Sequence, residues 1–221
     1  MNRSLIRPYN FYADVRDQRI LSGFHTVYLG FLISLTMAMI FASFLQHYRT
    51  NQIIDYIFTH FLIFDVAKSF LAATVIETWQ LILILTALYF LILVLTALVI
   101  QLCSVFVKTR VYLSHSFVVT FWSALPLVGF IPLSMILYNV LETEMYVVPI
   151  LVLIGILLLW VLFRLLKGIS IIYDVLAFRV YSLGIFLLVS VNGIMLLISE
   201  YTHATFAYIS FFIHMFEGFR F

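Results

Sequence analysis

Six histidines, one cysteine and ten carboxylates are the groups in this 221-residue chain that could hold a metal, attack a carbon centre or relay protons. A zinc site needs three or four Cys, His, Asp or Glu ligands at short spacings or on facing elements. His25, His47, His60, His115, His203 and His214 form no HExxH, and His203 and His214 stand eleven residues apart. They read as histidines at segment ends, and neither a metal nor a cofactor is expected. Cys103, the lone cysteine, cannot form an internal disulfide and sits in an apolar run, as a small hydrophobe would. The chain has no GxSxG, no Gly-rich phosphate loop and no paired carboxylates inside an apolar segment. No catalytic residue is therefore assigned, and an intramembrane enzyme ranks behind the alternatives below.

Two weaker sets of groups remain. Ser34, Thr36, Thr86, Thr96, Gln101, Ser190 and Asn192 lie inside apolar runs. Such side chains usually hydrogen-bond within or between helices. Asn192, beside Gly193, is the candidate intramembrane polar group. Lys108, Arg110, Arg164, Lys167 and Arg179 sit between apolar runs. They form a candidate contact surface for lipid headgroups or a partner, since each nearby base is worth about 1 kcal/mol toward anionic lipid. The plainer explanation is that these bases only set orientation.

The elements that would position these groups follow from composition. The chain is 65% hydrophobic and 10% charged, with mean hydropathy +1.16, against about 45–50% apolar and about 25% charged for a soluble domain. Twelve basic and ten acidic side chains cannot cover that much apolar surface. The expected fold is an all-α integral membrane protein in one domain, 1–221. A span needs about 20 apolar residues, and five runs qualify, at about 24–45, 79–107, 117–141, 146–163 and 180–199. Segments 51–77 and 204–216 read as interfacial helices, and counting them as spans gives a six- or seven-span alternative. Four arginines and two aspartates precede the first run, so it reads as a retained signal-anchor.

Lys and Arg fall nine against three on alternate sides of this layout, and "ETE" at Glu142–Glu144 carries no base. The positive-inside rule then puts the N-terminus in the cytoplasm and the C-terminus outside. A net charge of +2 gives no reason to expect nucleic acid as a partner. Membrane lipids and other membrane proteins are the partners expected.

The third run contains "ALPLVGFIPLS", Ala124 to Ser134. Proline inside a helix removes a hydrogen bond and clashes with the preceding turn, yet within a membrane bundle neighbours can re-satisfy the freed carbonyls. Pro126, Gly129 and Pro132 are the candidate helix-kink residues. They predict a bent or locally unwound third span, with the carbonyls of Trp122 and Val128 freed. Ser123 is the expected partner of the first, and Gly129 is expected to admit a neighbouring backbone.

Several stretches together resemble the Yip domain family, the Ypt/Rab-interacting proteins and their bacterial relatives. They are "RPYNFYADVRDQR" before span one and "FVKTRVYLSHSFVVTFWSALPL" with Pro126 in the approach to span three. A third is "LLLWVLFRLLKGISIIYDV" with Trp160 and Gly168, and the five-span layout completes the pattern. The likeness covers roughly residues 7 to 200. It implies a five-span bundle in a plasma or inner membrane. The short N-terminus matches bacterial members, and it has no DLYGP-type motif, so a Rab-type GTPase is not an expected partner. The functional expectation is a non-enzymatic subunit or organiser of a membrane complex. The alternative is a component that transports lipid or another apolar cargo.

Overall fold

A computed structural model describes residues 8–17, 23–47, 78–104, 112–141 and 146–203. The expected interfacial segments 51–77 and 204–216, and the bases Lys108 and Arg110, lie outside them. The described residues are helical, with no strand. A short helix α1 (Pro8–Arg16) precedes α2 (Gly23–His47) and α3 (Thr78–Cys103). Next come α4 (Leu113–Ser123), a 3-10 stretch (Leu125–Phe130) and α5 (Ile131–Leu141), which together make one broken span. Helices α6 (Val147–Ile172) and α7 (Ala177–His203) are the last two described. Among the described residues five helices are thus long and apolar enough to cross a membrane, in line with the all-α five-span expectation.

One correction concerns the basic connection expected between spans four and five. Helix α6 runs on past residue 163 to Ile172, carrying Arg164 and Lys167 within it. The real turn is short. Asp174 has φ 52, Val175 N–H bonds the Ser170 carbonyl at 3.1 Å, and Asp174 N–H reaches the Ile171 carbonyl at 3.4 Å. This is a Schellman end, with aspartate where glycine is usual. Two bases in a row of apolar residues look like a loop by hydropathy, yet long cationic side chains are good helix formers.

Packing shows the spans alternating in direction. One core cluster joins Leu29, Ile33 and Met37 to Ile100, Val118, Trp122, Leu157, Ile171 and Tyr173. A second, toward the other end, joins Ile40 to Leu137, Leu141, Ile150 and Ile154. Lipid tails give apolar helices no hydrophobic reason to associate, so close approach of small residues matters instead. Gly30 lies against the Phe121 ring, where an added Cβ would sit 2.9 Å from it. Ala38 and Ala42 on α2 pack with Leu81 and Leu85 on α3. The outward face of α3 is apolar, with Leu83, Leu91, Leu95 and Val99 about half exposed.

Candidate functional site

Most hydroxyls in the spans are consumed locally. Ser34 donates to the Gly30 carbonyl (2.8 Å), Thr36 to Leu32 (2.8 Å), Thr86 to Ile82 (2.7 Å) and Thr96 to Ile92 (2.8 Å). Each satisfies its own polar atom one turn back, which lets it sit in an apolar setting at little cost. Asn192 does the same, donating to the Leu188 carbonyl at 2.8 Å from an exposed position. Among the described residues no contact brings it to another polar side chain.

Polar groups from different helices meet at the end of the bundle that α1 covers. The hub is Trp122, the last residue but one of α4. Pro126 has no N–H to offer the carbonyl four residues back, which is that of Trp122. Arg164 Nη2 from α6 donates to this carbonyl at 3.3 Å. The Trp122 indole N–H donates to Thr26 Oγ1 on α2 at 3.4 Å, and its ring packs on Phe11 of α1 with centroids 4.9 Å apart. One residue thereby ties span three to span one, span four and the N-terminal helix.

Tyr12 closes the site. Its side chain is wholly buried, and its hydroxyl lies 2.8 Å from Ser123 Oγ. Ser123 spends its own proton on the Val119 carbonyl, so the phenol is the donor. The Tyr12 ring rests on Gly168, where an added Cβ would lie 3.0 Å from it. Glycine is required there because the ring takes the space a side chain would fill. Burial raises the Tyr12 pKa above its ordinary 10.0, with Ser123 and the neighbouring Arg164 charge pulling the other way.

A second brace lies beside the first. Tyr173, at the end of α6, donates to the Ile100 carbonyl at 2.7 Å. That carbonyl belongs to the last turn of α3, where intrahelical donors run out. Ser116 donates to Gln101 Oε1 at 2.8 Å and is also within hydrogen-bonding reach of the Tyr173 phenol, whose pKa burial raises. On the surface, Arg16 of α1 meets Asp174 of the α6–α7 turn at 3.6 Å.

These placements revise several expectations. Arg164 is only 4% exposed and bonds a backbone carbonyl, so it is not available as a headgroup contact, while Lys167 and Arg179 are exposed. Arg164 also takes the role expected of Ser123, because the serine's proton already faces Val119. Span three is interrupted where Pro126 stands, but the backbone tightens into a 3-10 stretch rather than loosening. The Val128 carbonyl, freed by Pro132, takes the Ile131 N–H. Gly129 is exposed with open space around it, so no described backbone packs against it; among the described glycines Gly30, Gly168 and Gly184 are the close-packed ones. Pro126 is buried and Pro132 exposed.

Tyr12, Ser116, Tyr173 and the Trp122 indole went unassigned in the sequence. The available signal was the aromatic content of "PYNFYADVR", which an unanchored leader would not need. Among the described residues no three His, Cys, Asp or Glu side chains come together as metal ligands. Comparison with family models, curated proteins and solved structures finds no match to the chain.

Proposed function

We propose that this chain is a non-enzymatic membrane protein that works by association, as a subunit or organiser of a membrane complex of the Yip-domain kind. In this reading it lies in a bacterial plasma membrane with its N-terminus in the cytoplasm and its C-terminus outside. The observation that carries the reading is the state of span five. None of its apolar window is buried, against 44% for span one. It packs on α6 through Gly184 and Leu166, and through Tyr181 beside Phe163, and turns apolar residues such as Phe186, Val189 and Leu197 outward. Among the described residues, Ser34, Thr36, Thr86, Thr96 and Asn192 are spent on helix carbonyls and Gln101 on the second brace. The partners are membrane lipids and other membrane proteins; nucleic acid and Rab-type GTPases are not among them.

Purification in mild detergent tests this reading. The expected result is a particle larger than the monomer plus its detergent belt, with one stoichiometric protein component. A lone monomer, both in mild detergent and after crosslinking in native membranes, would end it. A second reading, transport of lipid or another apolar cargo, is favoured by the 3-10 break in span three, since such stretches often mark hinges. Reconstituted protein that moves labelled lipid between leaflets would favour it over the first.

A further inference from the structure

Helix α1 is nine residues long, shorter than an isolated helix that is stable in water, so its order depends on what it docks against. It packs mainly on α6 and also on the end of α4. Phe11 packs on Trp122, Tyr12 on Ser123 and Gly168, and Tyr12 and Val15 join the core cluster that holds Trp122, Leu125 and Leu127. The partners on span three are Trp122 and Ser123, the last residues of α4, which lead directly into the 3-10 stretch. Within that stretch Leu125, Pro126 and Leu127 are buried, Val128 is partly buried and Gly129 is exposed. Ser134 beyond it is tied to its own helix through the Ile131 carbonyl.

We propose that α1 is a strap whose docking sets the geometry of the break in span three. Tyr12 is the latch, and the slot is made by Gly168, Ser123 and Arg164. With the latch seated, Phe11 presses Trp122 against Thr26 and holds its carbonyl toward Arg164, which fixes how α4 enters the 3-10 stretch. With the latch withdrawn, Trp122 loses its Phe11 contact and α4 is free to re-aim relative to α5. A movement begun in the aqueous N-terminal segment is thereby transmitted into the membrane-embedded part of the chain. The inference does not depend on the association reading, since it concerns the isolated protein.

The experiment uses the full chain in lipid nanodiscs, with Cys103→Ser and pairs of spin labels at exposed positions. One pair, Asp17→Cys with Val148→Cys, reports whether α1 is docked on α6. The other, Leu113→Cys with Met135→Cys, spans the break. Tyr12→Ala is expected to broaden the first distance distribution and shift the mean of the second. Gly168→Leu, which keeps Tyr12 but fills its slot, should reproduce both effects and serves if Tyr12→Ala does not fold. Tyr12→Phe keeps the ring and lowers the docked-to-undocked ratio roughly fivefold, equivalent to about 1 kcal/mol for the lost hydrogen bond. An unchanged first distribution in Tyr12→Ala and Gly168→Leu would show that Tyr12 is not the latch. A broadened first distribution with an unmoved second would show that the strap does not set the break.

Discussion

The link between Arg164 and the carbonyl freed by Pro126 can be isolated thermodynamically. Arg164→Met keeps most of the side-chain volume and removes the guanidinium. Two effects of opposite sign follow. A hydrogen bond to a charged group is worth about 1.5–3 kcal/mol, and its loss leaves the Trp122 carbonyl inside the bundle with only the Ala124 N–H. Removing a cation from a site that is 4% exposed also relieves its desolvation, which offsets part of that loss. The single substitution therefore has an uncertain net size, but a double-mutant cycle does not share this problem. Pro126→Ala restores an N–H at position 126, able to bond the Trp122 carbonyl directly. In that background Arg164→Met still relieves desolvation but no longer leaves the carbonyl short of a donor. The desolvation part cancels around the cycle, leaving a coupling of about 1.5–3 kcal/mol. The assay is reversible unfolding in mixed micelles by SDS titration, followed by helix signal and tryptophan fluorescence. Strict additivity of the two substitutions would refute the assignment.

Other outcomes follow from the same geometry. Gly30→Ala should destabilise by about 1–3 kcal/mol because its Cβ meets the Phe121 ring, whereas Gly129→Ala, with open space around it, should not; the same titration compares them. Asp174→Ala should cost about 1–2 kcal/mol, since its backbone is left-handed, while Asp174→Gly should cost less. Because burial raises the Tyr12 pKa in the folded state, its contribution is complete below the ordinary value of 10.0 and is lost as pH rises through the folded value. Wild type should thus be more stable than Tyr12→Phe at neutral pH, and the gap should close in alkali. A gap independent of pH up to the alkaline limit of the assay would contradict the burial of the phenol.

The spans were legible because bilayer thickness demands runs of apolar residues, and that demand acts on each helix separately. Thr78–Cys103 and Gly23–His47 fall within a few residues of their expected bounds, apart from the end of span two, for this reason. The end of span four was not legible, since Arg164 and Lys167 interrupt hydropathy without interrupting helix. Pro126 announced a break in span three, but the partner of the freed carbonyl lies 42 residues away on another helix. Only packing brings Arg164 to it. Tyr12 was hidden for the same reason, as its partner Ser123 is 111 residues distant. A buried arginine in a membrane segment and a solvated one at its end have the same letter and nearly the same neighbours. Depth and facing decide between them.

Photocrosslinking in native membranes tests the association reading most directly. A benzophenone amino acid would be placed at Phe186, Val189 or Leu197 on the exposed face of span five, and at Leu83, Leu91 or Leu95 on span two as lipid-facing controls. The account predicts one discrete protein adduct from span five that the span-two positions do not give. Lipid adducts alone from both helices, with no protein band specific to span five, would contradict it.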